Sequence, residues 1–91
     1  MPKVTENFRD RHVCIIGLGY VGLTLATVMA DQGFDVIGVE IREEVLDMFN
    51  KGEPHFFEPG LADHLKRLLK AGNIRCSKNI PDNCKATVYI I

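Results

Sequence analysis

The chain has 91 residues, of which 46% are hydrophobic and 25% charged, and its formal net charge is -1, a composition typical of one small globular domain. A near-neutral charge without a cluster of lysines and arginines argues against nucleic-acid binding, and no apolar run approaches the roughly 18 residues of a membrane-spanning helix. The opening segment, residues 1–11, is a polar tail unlike a secretory signal, so we expect a cytoplasmic protein.

Residues 11–17 and 20–32 begin an alternation of strands and helices. The first is a short β-branched run typical of a strand buried on both faces, and the second has helical periodicity. Gly33 is predicted to end the helix as a left-handed cap, with Phe34 folding back on the last turn. The predicted packed face of this helix consists of Val21, Leu25, Val28 and Met29, beside a row of small residues that allows close approach to a sheet, Gly22, Ala26 and Ala30.

The rest of the chain continues the same alternation. The further predicted elements are a strand at 34–40, a helix at 42–50, a loop at 51–60, a helix from Pro59 to its cap Gly72, a strand at 74–77, a single helical turn from Asn79, and a strand at 86–91. The predicted apolar faces of the two later helices are Ile41, Val45, Met48 and Phe49, then Leu61, Leu65, Leu68 and Leu69. Right-handed crossovers between such elements predict an α/β fold, a Rossmann-like parallel sheet of strand order 3-2-1-4 with flanking helices.

The last predicted strand would lie at an edge of the sheet, and natural domains usually cover such an edge. We therefore expect residues 12–91 to be the N-terminal part of a Rossmann domain, truncated within the fourth strand.

The three cysteines, Cys14, Cys76 and Cys84, are an odd number without a C-x-x-C pair, which argues against a disulfide framework and against a zinc site. Cys14 lies inside an apolar run, where a buried thiol is more common than a nucleophile. We therefore expect free thiols, and neither a catalytic residue nor a metal site in this chain.

The segment Gly17-Leu18-Gly19-Tyr20-Val21-Gly22 has the pattern G-x-G-x-x-G. It follows a predicted strand and opens a predicted helix, and the next strand ends in Glu40, 18 residues after Gly22, near the spacing of about 20 in dinucleotide-binding units. In such units the first glycine permits the turn, the second lets a diphosphate touch the backbone, and the third lets the helix pack on the strand. N–H groups at the start of the helix would hold the phosphates.

Glu40 indicates which dinucleotide binds. A carboxylate here accepts hydrogen bonds from the adenosine ribose, whereas it would repel a 2′-phosphate by up to about 4 kcal/mol at 4 Å and an effective dielectric of roughly 20. The sequence therefore favours NAD over NADP. Arg42 leaves three roles open, because it could bind a 2′-phosphate, stack on adenine or be a solvated residue at the start of a helix.

The segments GLGYVGLTLA, GFDVIGVE and GEPHFFEPGL together closely resemble the N-terminal segment of the UDP-glucose/GDP-mannose dehydrogenase family, from about His12 to Ile91. The resemblance implies an enzyme that oxidises the C6 alcohol of a UDP- or GDP-sugar to the uronic acid with two NAD, and we expect it to be a homo-oligomer. The segment PHFFEPGL is similar to the corresponding segment of members that act on UDP-N-acetylhexosamines. Glu40 stands where the family usually has aspartate, and Val45 where members often carry a basic residue, which leaves Arg42 as the nearest substitute.

In the family, the catalytic cysteine and its lysine and aspartate partners lie far downstream, and nothing in this chain matches them. The chain is therefore expected to contribute cofactor binding only. The predicted cofactor-binding residues are Gly17, Leu18, Gly19, Tyr20, Val21, Gly22, Glu40 and Arg42. Two alternatives are an NAD-binding regulatory module without catalysis and the NAD half of another hydroxyacid or hydroxyacyl dehydrogenase, and the EPGL loop argues against both.

Three further polar residues have simpler interpretations than a role in a site. Glu58 is predicted to complement the dipole of the third helix rather than contact substrate. His55 is predicted to be a solvated loop residue, and His64 to lie on the polar surface of the third helix.

Overall fold

The computed structural model describes residues 12–81, 84, 86 and 88–91. Within them, strands and helices follow one another as β1 (His12–Ile16), α1 (Tyr20–Asp31), β2 (Asp35–Val39), α2 (Glu43–Asn50), α3 (Leu61–Ala71), β3 (Ile74–Ser77) and β4 (Val88–Ile90). The polar tail, residues 1–11, lies outside the described residues, as do residues 82 and 83 in the predicted turn after Asn79. None of the described helices has both the length and the apolar character needed to span a membrane.

The four strands form one parallel sheet in the order β3-β2-β1-β4, which confirms the predicted order 3-2-1-4. β1 and β2 are aligned so that Ile16, the last residue of β1, pairs with Val39, the last residue of β2. The chain therefore leaves both strands at the same edge of the sheet. This alignment brings Gly17 and Glu40 to neighbouring positions, as in other open parallel sheets that bind ligands at their carboxyl ends.

The core lies between one face of the sheet and helices α1 and α3, and α2 contributes Phe49 to it. In the sheet, Val13, Val36 and Ile74 share one row of the register and are all buried. Around them the buried cluster is completed by Ile15, Leu18, Leu23, Ala26, Ala30, Phe49, Leu61, Leu65 and Leu68. Covering the strands with helices is the usual solution for a parallel sheet, whose strands are apolar on both faces.

The predicted packed face of α1 is partly wrong. Its buried residues are Leu23, Ala26, Thr27 and Ala30, whereas Val21 is 75% exposed and Val28 is also exposed. The helix is apolar on nearly all sides, so helical spacing alone could not identify the face toward the sheet. The row of small residues identifies it correctly, because short side chains let the backbone of α1 approach the strands.

The later helices match their predicted faces except at their starts. α3 buries Leu61, Leu65 and Leu68 as predicted. Ile41 was expected on the face of α2 but is 75% exposed, because α2 begins only at Glu43 and Ile41 precedes the helical turns. Pro59 likewise precedes α3, which begins at Leu61.

The end of α1 confirms the predicted cap. The Gly33 N–H donates to the Ala30 carbonyl at 3.1 Å and the Phe34 N–H donates to the Met29 carbonyl at 3.2 Å. This pair of bonds is the Schellman arrangement, and Phe34 packs against the core beside it.

Candidate dinucleotide site

The turn after β1 presents bare backbone at two of its glycines. Gly17 has a φ of +93°, a left-handed conformation that side chains disfavour, and its N–H donates to the Val39 carbonyl at 2.8 Å. A Cβ atom built on Gly17 or on Gly19 would meet no heavy atom within 4 Å. The space outside this turn is therefore open to a ligand, and a side chain at either position would enter that space.

The start of α1 offers hydrogen-bond donors toward the same space. The first bond of the helix runs from the Leu23 N–H to the Gly19 carbonyl at 2.9 Å, so the N–H groups of Tyr20, Val21 and Gly22 precede the intrahelical ladder. The first turn carries no acidic residue that would offset the positive end of the helix dipole. This arrangement favours a bound anion such as a diphosphate.

Gly22 has the packing role predicted for the third glycine. A Cβ at this position would lie 2.0 Å from the Gly17 carbonyl oxygen and 3.7 Å from the Ile15 side chain. Only a residue without a side chain lets α1 start this close to β1. The short distance fixes the N–H groups of the first helical turn relative to the glycine turn.

Leu18 connects the turn to the core and to β2. Its side chain is 0% exposed and lies over Gly38, where a Cβ would be 2.7 Å from a Leu18 methyl carbon. Its N–H donates to Glu40 Oε1 at 3.0 Å. Leu18 is among the predicted cofactor-binding residues, but this N–H is already paired, so it supports the site through Glu40 rather than as a free donor.

Gly38 is a residue of this site that the sequence prediction missed. A glycine in the middle of a β-branched strand often marks a close approach of another group. That signal was available in the sequence, and here the approaching group is the Leu18 side chain.

Glu40 is a buried carboxylate, 3% exposed, with four hydrogen bonds. Its Oε1 accepts from the Leu18 N–H and from Arg42 Nη2, both at 3.0 Å. Its Oε2 accepts from the Arg42 backbone N–H and from Arg42 Nε, both at 2.9 Å. These bonds, foremost those of the Arg42 guanidinium, lower the pKa of Glu40 to about 2 against the opposing effect of burial. Glu40 is therefore ionised at neutral pH.

The loop before α3 packs beside the start of α1. The ring of Tyr20 lies 4.9 Å from that of Phe56, and the Tyr20 hydroxyl donates to Glu58 Oε2 at 3.2 Å. This hydrogen bond, and then the negative charge of Glu58, raise the pKa of Tyr20. The Glu58 side chain thus contacts the start of α1, a contact that the prediction of a dipole role at the third helix did not include.

The sequence EPGL in this loop forms a tight turn. The Leu61 N–H donates to the Glu58 carbonyl at 3.0 Å, and Gly60 has φ 81° and ψ -11°. These values match the third residue of a type II turn, which requires glycine there and favours proline before it. The turn places Glu58 within reach of Tyr20 and then starts α3.

His55 differs from the expected solvated residue. It is half-buried, and its ring meets Phe56 edge to face at a centroid distance of 4.9 Å. Burial, and then the positive charge of Arg42, lower its pKa. Its Nδ1 is buried and has no hydrogen-bond partner among the described residues.

Other residues with reactive side chains lie outside this site. His64 was expected on the surface but is half-buried, with Nε2 3.3 Å from Asp31 Oδ1 at the far end of α1. Cys14 is fully buried, as predicted, and burial raises its pKa. Burial likewise raises the pKa of Cys76 to about 12, and thiols whose pKa is raised by burial are poor nucleophiles.

The glycine turn, the donors of α1 and the ionised Glu40 together form a dinucleotide-binding geometry. The sequence profile of the UDP-glucose/GDP-mannose dehydrogenase family, NAD binding domain, matches residues 11–91. The chain belongs to this family. NAD is accordingly its cofactor, and the open backbone at Gly17 and Gly19 fits that assignment.

Relatives and solved structures agree with the family. A UDP-N-acetyl-D-mannosamine dehydrogenase from Pyrococcus horikoshii is 37% identical over 87% of this chain and 19% of its own length. A GDP-mannose 6-dehydrogenase from Azotobacter vinelandii is 37% identical over 82% of this chain and 17% of its own length. A solved structure of the UDP-N-acetyl-D-mannosamine dehydrogenase from Pyrococcus horikoshii superposes with a TM-score of 0.79 at 35% identity, over 85% of this chain and 18% of that chain. The chain thus spans about a fifth of the length of these relatives.

Proposed function

We propose that this chain supplies the NAD-binding portion of a nucleotide-sugar 6-dehydrogenase that oxidises the C6 alcohol of a UDP- or GDP-sugar to the uronic acid. The overall reaction consumes one alcohol, one water and two NAD, and yields one carboxylate, two NADH and protons. Each NAD accepts one hydride when bound. The relatives are about five times as long as this chain. Their greater length supports placing the catalytic residues of the enzyme outside this chain.

The residues of the candidate site have separate roles in this proposal. The N–H groups of Gly19, Tyr20, Val21 and Gly22 bind the diphosphate, and Gly17 and Gly22 shape the turn that presents them. Glu40 accepts hydrogen bonds from the adenosine ribose. The single observation that carries the proposal is the open space over Gly17 and Gly19, which lies beside the Glu40 carboxylate. Glu40 Oε1 is 3.0 Å from the backbone nitrogen of Leu18 in the same turn.

The substrate is proposed from the relatives. Several curated relatives are named UDP-N-acetyl-D-mannosamine dehydrogenase, and this agrees with the likeness of the PHFFEPGL segment to UDP-N-acetylhexosamine enzymes. We therefore place UDP-N-acetyl-D-mannosamine first, ahead of GDP-mannose and UDP-glucose. A cytoplasmic location and a homo-oligomeric state belong to the same proposal.

The test is NADH production by the complete protein that carries this chain, with each of the three nucleotide sugars in turn. We expect two NADH for each UDP-N-acetyl-D-mannosamine consumed. The isolated 91-residue chain is the matched control, and it should reduce no NAD. NAD binding by the complete protein without turnover of any of the three sugars would contradict the proposal and favour a regulatory module. NADH production by the isolated chain would contradict the downstream placement of the catalytic residues.

A further inference from the structure

We propose that His55 is a further cofactor-binding residue, whose Nε2–H donates a hydrogen bond to the adenosine half of NAD. His55 belongs to the loop between α2 and α3, whereas the predicted cofactor-binding residues lie in the glycine turn, at the start of α1 and just after β2. This inference rests on the proposed function, because it concerns the same dinucleotide site.

The first step is the position of His55. Three aromatic rings form a row beside the glycine turn, in which Tyr20 at the start of α1 lies 4.9 Å from Phe56, and Phe56 lies 4.9 Å from His55. Burial lowers the pKa of His55, and the nearby charges of Arg42 and Glu40 then act on it in opposite directions. The row therefore extends from the helix start proposed to bind the diphosphate to the carboxylate proposed to bind the adenosine ribose.

The second step is the tautomer of His55, because the two nitrogens of its ring have different surroundings. Nδ1 is buried and has no hydrogen-bond partner among the described residues, whereas Nε2 is not buried in this way. A buried N–H without an acceptor is rarer in proteins than a buried acceptor without a donor. We therefore assign the proton of the neutral ring to Nε2. Because the residue is only half-buried, this N–H is available to a ligand.

The third step is the charge of His55. Its pKa is lowered from 6.5, first by burial and then by the positive charge of Arg42, so the ring is neutral at neutral pH. A second proton would also place an N–H at the buried Nδ1. The ring nitrogens of adenine and the oxygens of its ribose are neutral acceptors, for which a neutral N–H is a suitable donor.

The unpaired Nδ1 also indicates that His55 is present for more than packing. A buried polar atom without a partner lowers stability, and in native proteins such an atom calls for an explanation in terms of function. Phenylalanine at this position would keep the edge-to-face contact with Phe56 and would leave no unpaired atom. The property that histidine adds here is therefore the accessible Nε2–H.

The experiment measures the Kd values of NAD and of ADP-ribose by calorimetry on the complete protein, as wild type, His55→Phe and His55→Gln. ADP-ribose has the adenosine half of NAD and lacks the nicotinamide. His55→Phe keeps an aromatic ring and loses the donor, so both Kd values should rise by about five- to tenfold. The side-chain amide of glutamine places an N–H near the position of Nε2, so His55→Gln should stay within about threefold of wild type.

Urea unfolding of the same variants separates ligand contact from folding. His55→Phe should unfold at a urea concentration no lower than wild type, because it removes an unpaired buried atom. His64→Gln is the matched control, since His64 Nε2 lies 3.3 Å from Asp31 Oδ1 at the far end of α1. This variant should change neither Kd.

Four results would overturn the role of His55 while leaving the proposed function in place. They are unchanged Kd values in His55→Phe, a rise for NAD without a rise for ADP-ribose, a rise that His55→Gln shares in full, and unfolding of His55→Phe at a lower urea concentration than wild type. If wild type binds neither ligand, the proposed function itself is wrong and this inference with it.

Discussion

Replacing Gly22 by alanine tests how closely α1 must approach the glycine turn. The new Cβ would lie 2.0 Å from the Gly17 carbonyl oxygen, whereas real Cβ contacts are essentially never shorter than 3.0 Å, so the helix start must move by about 1 Å. The obstacle is backbone and cannot rotate away. Overpacking of this kind costs about 1–3 kcal/mol, and the gain of about 1 kcal/mol from alanine in a helix offsets only part of it. We expect a net loss of about 1 kcal/mol, and at most about 2 kcal/mol, in the free energy of unfolding.

The assay compares Gly22→Ala with Gly19→Ala by denaturant-induced unfolding and by NAD binding. Gly19 has φ -69° and ψ -164°, which alanine adopts, and its Cβ would meet no atom within 4 Å. Gly19→Ala should therefore change the free energy of unfolding by less than about 1 kcal/mol. Both variants should lose NAD affinity, Gly22→Ala because the donors of α1 move and Gly19→Ala because its methyl group occupies the place of the diphosphate.

The pair of variants separates packing from ligand contact. If Gly22→Ala unfolds at the same denaturant concentration as wild type, the helix start is not held by the Gly17 carbonyl, and the packing explanation is refuted. If Gly19→Ala binds NAD as tightly as wild type, the diphosphate does not lie against this backbone.

Three further changes test the groups around the turn. Glu40 has a folded-state pKa of about 2, below its ordinary value of 4.5. The stabilisation that ionised Glu40 provides is therefore present above pH 4.5 and is lost as the pH falls toward 2. Glu40→Gln should lower the free energy of unfolding by up to about 3 kcal/mol at neutral pH and remove that acid dependence. Urea unfolding from neutral to acid pH measures it, and an unchanged acid dependence in Glu40→Gln would be incompatible with this pairing. Leu18→Ala should lower the free energy of unfolding by about 3 kcal/mol in the same urea experiment, since it leaves a cavity at a fully buried position. A loss below about 1 kcal/mol would show that the Leu18 side chain is not packed there. Tyr20→Phe keeps the ring contact with Phe56 and loses only an exposed hydrogen bond to Glu58. Thermal unfolding should therefore show a loss below about 1 kcal/mol in the free energy of unfolding. A larger loss would mean that this hydrogen bond holds the loop in place.

The order of the strands and the position of the site follow from local patterns in the sequence. Short apolar strands alternating with helices, and crossovers of fixed hand, leave few topologies, and the order 3-2-1-4 is the one observed. The glycines and Glu40 meet because both follow neighbouring parallel strands. Capping signals such as Gly33 are also local, since they depend on the conformation of one residue and its hydrogen bonds.

Features that depend on tertiary contacts could not be predicted in this way. The face of α1 was misassigned because the helix is apolar on nearly all sides, and only the distance to the sheet selects Ala26 and Ala30 over Val28. The pairing of Arg42 with Glu40 depends on side-chain conformations at the start of α2, which periodicity does not determine. The contact between Tyr20 and Glu58 joins residues 38 positions apart, a separation at which single-sequence patterns contain no signal.

The packing of Leu18 couples two properties that are usually measured separately. Its side chain is embedded in the hydrophobic interior against Gly38, while its main chain belongs to the turn that we propose binds the nucleotide. Any loosening of the interior beneath β2 is therefore transmitted directly to the binding surface. Nucleotide affinity should consequently depend on how well the core is packed. We expect it to fall in variants with a poorly packed core even when these variants remain folded.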